Sequence, residues 1–409
     1  MTTAEKPIRR LYTGDNLPVL RCIDSETVDL IYLDPPFNSG KQWAKPIGEG
    51  DRRAVASFKD TWELSDTHAD EEYALSLSYP QTIPLIDALH EINGGSWKAY
   101  LIYMGARLAE MRRILKPTGS IYYHCDPVMS HGVKLLMDAI FGGQFGGKSG
   151  GNFRNEIVWC YSGGGVSKRD FPRKHDVLFR YVKTGNWRYS AEYKPYKENT
   201  RQVGKHSTYS GGHDIDLKRG TPVTDWWTDI KTATGWSPEK TGYPTQKPLA
   251  LLERIIRASS DEGDLVLDPF CGCATTCLAA ERLGRRWIGI DLAEEAASLV
   301  VERLKKDGEG RLEFAAYEVE HLRKLPKRTD LGGLRSDDAI LKPRLYKLQN
   351  KICLGCDNET RVELMDFDHI IAKSRGGQDV DDNIQLLCGN CNSIKGDRGM
   401  HYLWRKILE

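Results

Sequence analysis

The sequence predicts an α/β protein, a doubly wound parallel sheet followed by a small, separate metal-stabilised module. Three observations lead there. Strand-like and helical runs alternate at two distant places in the chain, the length of 409 residues exceeds what one core serves, and two Cys-x-x-Cys pairs fall after residue 345.

The first alternating block opens with the apolar run Val28 to Leu33, which reads as a buried strand and enters Asp34-Pro35-Pro36-Phe37, where prolines stop the sheet. Tyr100 to Leu115 has helical spacing, Pro117 and Gly119 interrupt it, and Ile121 to His124 reads as the next strand. In the second block Leu249 to Ser260 is helical, Leu265 to Leu267 a strand, Thr275 to Leu283 a helix and Trp287 to Ile290 a strand. The region from Lys148 to Lys231 lacks a sustained period and is rich in glycine and aromatics. It carries 16 Lys or Arg against 9 Asp or Glu, a bias hidden by a whole-chain net charge of +1.

The domains expected are 1–325 for the sheet, with an insertion over about 160–240, then a linker over 326–344 and the cysteine module over 345–409. Hydrophobic residues at 40% and charged residues at 28% describe a soluble globular chain. With no apolar run near the roughly 20 residues of a membrane span and no charged leader, the expectation is a cytoplasmic protein with reduced thiols. No internal repeat is present.

In an open α/β sheet, ligands bind beyond the carboxyl ends of strands. Two loops there carry chemistry. In Asp268-Pro269-Phe270-Cys271-Gly272-Cys273-Ala274-Thr275-Thr276 small residues let backbone approach a ligand and a helix N-terminus follows. Asp291 ends the next strand, where a carboxylate can hold ribose hydroxyls. In Asp34-Pro35-Pro36-Phe37 the Asp34 carboxylate and the Pro35 carbonyl can both accept hydrogens from one amino group, while Phe37 can stack on a ring.

These loops, together with Gly242-Tyr243-Pro244-Thr245-Gln246-Lys247-Pro248, resemble the motifs of the β-class DNA amino-methyltransferases, a circularly permuted class whose catalytic loop precedes its cofactor loop. The resemblance covers roughly residues 8 to 303, including Gly14-Asp15-Asn16 and Lys174-His175-Asp176. It implies a Rossmann-like methyltransferase sheet using S-adenosylmethionine to methylate the exocyclic amine of a base flipped out of double-stranded DNA. Asp34, Pro35, Pro36 and Phe37 would be catalytic. Asp15 and Asn16 would lie near the cofactor adenine, Asp291 at its ribose, Asp268, Pro269, Phe270 and Gly272 along the pocket, and Thr245 and Lys247 at the methionine end. The insertion occupies the place of the family's target-recognition region. An Asp opening the catalytic tetrapeptide implies adenine N6, with N4 of cytosine as the alternative. The family's usual Ser and Gly are replaced by Cys273 and Ala274; a left-handed Ala274 would be strained. Cys273 is given no catalytic role.

In the module, Cys353, Cys356, Cys388 and Cys391 are spaced for Zn²⁺. Phe367-Asp368-His369-Ile370-Ile371, Gly376-Gly377, Asn383, Asn392 and Lys395-Gly396 resemble the HNH endonuclease family, whose fold is a ββα-metal unit. That resemblance implies His369 as the base activating water, Asp368 and Asn392 as ligands of a divalent Mg²⁺ or Mn²⁺, and Asn383 as the residue orienting the His369 loop. Asn392 stands where many relatives have His. Three readings stay open: a methyltransferase with a nicking or cutting module, a single-chain restriction-modification protein, and a methyltransferase whose module only binds DNA. A DNA-binding protein with vestigial catalytic loops is the reading from another class. The partner expected is double-stranded DNA, with a homodimer left open.

Overall fold

The computed structural model describes residues 8–47, 54–143, 151–162, 168–196, 219–233, 239, 241, 243, 245–293, 300–304, 320–322, 324–326, 328–330 and 336–408. Gly242, Pro244, Lys327, Gly332, Gly333 and much of the expected insertion lie outside the described residues.

The strands in chain order are β1 (Arg9–Thr13), β2 (Val28–Leu33), β3 (Lys41–Ile47), β4 (Ala54–Asp60), β5 (Leu115–Cys125), β6 (Phe153–Cys160), β7 (His175–Val182), β8 (Tyr193–Lys194), β9 (Thr221–Pro222), β10 (Trp226–Trp227), β11 (Leu265–Asp268), β12 (Arg286–Asp291), β13 (Glu320–Leu322), β14 (Met365–His369) and β15 (Ile384–Cys388). Nine of them form one sheet in the order β10-β6-β7-β5-β2-β11-β12-β1-β13. Pairing is parallel from β5 across to β13, and β7 runs antiparallel between β5 and β6. The decisive pairing is β2 with β11, where Leu30 lies opposite Val266 and Ile31 opposite Leu267. Two segments more than 230 residues apart therefore end side by side at one sheet edge, as the circularly permuted order requires.

Both faces of the sheet are covered, which explains why β2 is buried along its whole length. Val28, Ile31 and Leu33 pack with Leu20 of α1 (Asn16–Cys22), Leu75 of α2 (Asp66–Ser78), Ile86 of α3 (Thr82–Asn93), Tyr100 of α4 (Gly95–Ile114) and Val133 of α5 (Ser130–Met137). Leu30 and Tyr32 face the other side, against Leu251 of α6 (Leu249–Ser259), Leu278 of α7 (Thr275–Arg282) and Val300. Each such fully buried apolar side chain contributes about 1.5–3 kcal/mol. Asp29, the polar residue within β2, is neutralised by Lys116 Nζ at 2.7 Å and accepts the Leu265 N–H at 2.9 Å.

Three differences from the sequence reading have physical causes. β5 starts at Leu115 rather than Ile121, because a register shift against β2 absorbs Pro117 and Gly119 as an irregularity. The expected insertion over 160–240 contains β7 and β10, two members of the main sheet. β13 pairs with β1 just before the expected linker, which is itself partly structured: Thr329 N donates to Asp24 Oδ1 at 2.6 Å. Its last residues open α8 (Asp338–Leu348), whose Leu341 is buried in the core of the C-terminal module.

That module is a β14–β15 hairpin followed by α9 (Gly389–Lys395) and α10 (Met400–Leu408). It sits on α1 and α2. Arg375 Nη1 lies 3.0 Å from Asp70 Oδ2, Gly399 N donates to the same oxygen at 3.0 Å, and Trp404 meets Tyr73 edge to face at 5.2 Å. Gly376 approaches the Pro18 carbonyl so closely that a Cβ would lie 2.6 Å from it. Among the described residues no helix is long and apolar enough to cross a membrane.

Candidate functional site

The loops after β2 and β11 line one cavity of about 890 Å³. It brings together Asp15, Asn16, Asp34, Pro35, Pro36, Phe37, Thr245, Lys247, Asp268, Pro269, Phe270, Gly272 and Asp291, all of which were singled out in the sequence. Such a volume lies within the roughly 300–1,000 Å³ of small-molecule sites.

The Asp34 carboxylate is unevenly engaged. Its Oδ2 lies 2.7 Å from Lys247 Nζ, while its Oδ1 is buried without a hydrogen-bond partner among the described residues. An unsatisfied buried acceptor costs about 1–3 kcal/mol, so a donor entering here is favoured. Lys247 also stands 5.2 Å from the Phe37 ring centroid. The loop beyond Phe37 is held from below by Asp60 at the end of β4, a buried residue whose carboxylate accepts the Asn38 N–H at 2.7 Å, the Ser39 N–H at 3.0 Å and the Ser39 hydroxyl. Asn38 has φ 57°, a left-handed conformation that Asn tolerates, and its Oδ1 accepts from Ser96 Oγ at 2.5 Å.

On the β11 side, Asp268 is 3% exposed. Its oxygens accept the Phe270 N–H at 3.0 Å and the Thr276 hydroxyl at 2.5 Å. Burial pushes its pKa up to about 7, with Asp34 and Asp291 adding to the rise and those two donors opposing it. Asp291 accepts the Gly272 N–H at 2.8 Å and the Ala293 N–H at 2.9 Å, and burial raises its carboxyl above the usual range. Gly272 has φ 49° and packs so near Tyr243 that a Cβ would sit 3.0 Å from the ring. Ala274 is left-handed, at φ 53° and ψ 43°, as the substitution for glycine made a concern; the conformation costs roughly 1–2 kcal/mol. Cys273 is buried, with Sγ 3.6 Å from Thr275 Oγ1.

Asp15 and Asn16 are fixed by a residue that no motif revealed. Arg107, wholly buried in α4, donates to Asp15 Oδ1 at 2.7 Å, to Asn16 Oδ1 at 2.7 Å and to Glu71 Oε1 at 3.1 Å, with its guanidinium 3.2 Å from the Tyr103 ring centroid. Asn16 then donates to the Pro269 carbonyl at 2.7 Å, joining the β1 loop to the β11 loop. A second unforeseen network lies behind Phe37. Tyr32 Oη is 2.8 Å from His124 Nδ1, His124 Nε2 is 3.1 Å from Asp176 Oδ2, and Tyr161 donates to Asp176 Oδ1 at 3.1 Å. Burial acts to raise the Asp176 carboxyl, but His124 and Lys247 outweigh it and hold it below the usual range. Of this network, only Asp176 fell within a quoted motif.

In the module, the ligand sulfurs of Cys353, Cys356, Cys388 and Cys391 all lie within 4.8 Å of one another. Zinc–thiolate bonds of about 2.3 Å place tetrahedral sulfurs about 3.8 Å apart, so the four residues fit a zinc ion. Asn383 bridges the loop after β14, accepting the Ile371 N–H at 2.9 Å and donating to the carbonyls of Ile371 at 3.0 Å and Gln378 at 2.8 Å. His369 Nε2 is 3.0 Å from Asp379 Oδ1. Asp368, expected as a metal ligand beside Asn392, is instead taken up inside the protein. Its oxygens meet Lys395 Nζ at 3.0 Å and Gln385 Nε2 at 2.7 Å, and the Lys395 side chain is 0% exposed. In this arrangement Asp368 does not fit a divalent ion, because an ammonium already neutralises it.

A family described as DNA methylase, of the N6/N4 methyltransferase type, matches residues 28–302, and one described as HNH endonuclease matches 353–398. The type II methyltransferase M.EcaI of Enterobacter cloacae is 30% identical over 334 residues, covering 69% of this chain and 65% of that protein. The DNA adenine methyltransferase YhdJ of Escherichia coli K12 is 28% identical over 334 residues, covering 77% and 86%. Among solved structures, the cytosine-N4-specific PvuII DNA methyltransferase aligns with TM-score 0.46 at 16% identity, over 79% of this chain and 99% of that one. With its family match extending across both loops and seven of the nine strands of the sheet, the chain belongs to the N6/N4-type DNA methylases and carries an HNH domain at its C-terminal end.

Proposed function

We propose that the protein transfers a methyl group from S-adenosylmethionine to the exocyclic amine of a base extruded from double-stranded DNA, with adenine N6 as the target. The observation that carries this reading is the pairing of Asp34, with one oxygen buried and unpartnered, with the Asp291 and Gly272 loop across a single cavity. S-adenosylmethionine supplies an electrophilic methyl on a cationic sulfur. The chain's residues supply the rest. An aromatic amine is a poor nucleophile because its lone pair is delocalised into the ring. Hydrogen bonds accepted by Asp34 and the Pro35 carbonyl draw that nitrogen towards tetrahedral geometry, and Phe37 stacks on the base. Asp291 takes the ribose hydroxyls, Asp15 and Asn16 the adenine end, and Thr245 with Lys247 the methionine end. Adenine is favoured by the Asp that opens the tetrapeptide and by the name of the relative YhdJ.

Expressing the protein in cells that lack other DNA methyltransferases and sequencing single DNA molecules reports base and context together. The expected result is N6-methyladenine in one short context. A map of modified cytosine alone would move the target to N4, and an unmodified genome would remove the proposal.

For the module we propose a zinc site of the four cysteines. The burial of Lys395 against Asp368 favours a DNA-binding role over metal-dependent cutting. Incubating supercoiled plasmid with the protein and Mg²⁺, with and without methyl donor, tests this: the plasmid is expected to stay supercoiled, and nicking lost in His369→Ala would restore the nuclease reading.

A further inference from the structure

Phe171 is 98% exposed, the most exposed large apolar side chain among the described residues. It sits in Lys168-Arg169-Asp170-Phe171-Pro172-Arg173-Lys174, four cationic residues to one acid. A phenyl ring kept in water between cations gains nothing from the fold. Pro172 follows it, and a residue before proline is biased towards extended backbone. The surroundings suit an anionic partner with apolar layers inside it, as a nucleic-acid duplex has.

The placement is defined by the β6–β7 hairpin from which this loop rises. Tyr161 N donates to the Lys174 carbonyl at 3.0 Å, closing the hairpin's end. Cys160 pairs with His175, and Val177 pairs with Cys125, the last residue of β5. The loop therefore leaves the sheet at the edge where the catalytic tetrapeptide leaves β2. Its base is tied to that tetrapeptide through Asp176, His124 and Phe37, the last two with ring centroids 6.1 Å apart.

We propose that Phe171 enters the duplex beside the target base and fills the space that base vacates, while the flanking cations hold the adjacent phosphates. The inference rests on the flipped-base reading given above. Extrusion breaks a base pair and two stacking contacts, and an inserted ring restores part of the stacking, so the extruded state gains population.

The test uses the full chain, its mapped recognition sequence in a short duplex, and Phe171→Ala beside Phe171→Leu. Being exposed, the ring can be removed without touching the core, and circular dichroism checks that the fold is kept. Methylation is measured on a paired duplex and on one whose target base faces an abasic site, where pairing no longer resists extrusion. Phe171→Ala is expected to lower kcat/KM on the paired duplex about tenfold or more, to recover to within about threefold of wild type on the abasic duplex, and to leave cofactor affinity unchanged. Phe171→Leu, which keeps apolar bulk, is expected to fall between. Equal activity of Phe171→Ala and wild type on the paired duplex would overturn the proposal, as would an equal loss on both duplexes, which marks a plain surface contact. Absence of methylation by wild type would remove the flipped-base reading together with this one, whereas active wild type with an unaffected variant removes the wedge alone.

Discussion

Lys247 lies with its ammonium 2.7 Å from Asp34 Oδ2, so the segment expected to hold the methionine end of the cofactor also touches the carboxylate proposed to engage the target amine. The two half-sites are thus coupled through one ion pair. It neutralises a carboxylate that the fold has largely withdrawn from water and leaves the other oxygen to receive a donor.

Replacing Lys247 by Met keeps the stem and deletes the charge. Losing one partner of a largely buried pair leaves the other uncompensated. The expected outcome is a fall in kcat of at least about tenfold at neutral pH. Weaker cofactor binding with unchanged kcat would show that Lys247 serves the cofactor alone.

Asp60 acts on the reaction through the tetrapeptide, as a positioning residue. Asp60→Ala removes three acceptor contacts to Asn38 and Ser39. A cost of about 1–3 kcal/mol in stability follows, with kcat falling and the dissociation constant for cofactor unmoved. Asp60→Asn, which keeps one acceptor, is expected to recover part of kcat. Identical kcat in wild type and Asp60→Ala would contradict the assignment.

Burial holds Asp268 near 7, well above an ordinary carboxyl. For a raised carboxyl, the native state is favoured at low pH and loses that advantage as pH rises through 7. A cationic cofactor in the same cavity favours the ionised form. Its affinity should therefore strengthen about tenfold between pH 6 and pH 8, with a proton released on binding near pH 7. Calorimetry in two buffers of different ionisation enthalpy measures both. Asp268→Asn should abolish the pH dependence attributable to this group, and a wild-type affinity that weakens over the same range would refute it.

The four cysteines close a module whose core is only ten buried residues, Leu341 to Leu403. Removing zinc with a chelator, or substituting Cys391→Ser, is expected to unfold α8 to α10 and expose Trp404 while the nine-stranded sheet stays folded. Hydrogen exchange separates the two regions. Retention of protection across β14 and β15 in the metal-free protein would exclude a structural zinc.

Much of this was legible in the residues, for local reasons. β2 is apolar from Val28 with only Asp29 interposed, and Pro35-Pro36 ends it unmistakably, so both strand and loop could be placed. That the loops after β2 and β11 serve one site followed from resemblance and from the rule that sites sit at carboxyl edges, whereas the direct pairing of the two strands is seen only in the structure. β7 was hidden in a region read as insertion, because its partner β6 and its role in the sheet depend on non-local pairing that no period records. Arg107, Asp60 and His124 were missed for a related reason. Each is a single polar residue within an otherwise ordinary segment, and its importance lies in which distant backbone or carboxylate it meets. In the module, the Asp-His pair was visible, but that Lys395 folds back onto Asp368 depends on α9 packing against β14.

The account stands most directly on Asp34. Transfer of tritiated methyl groups from S-adenosylmethionine to DNA, measured for wild type and Asp34→Ala with cofactor binding followed in parallel, tests it. The account predicts incorporation lowered at least about 100-fold in the variant, with cofactor affinity within about threefold of wild type. Equal incorporation by the two proteins would contradict it.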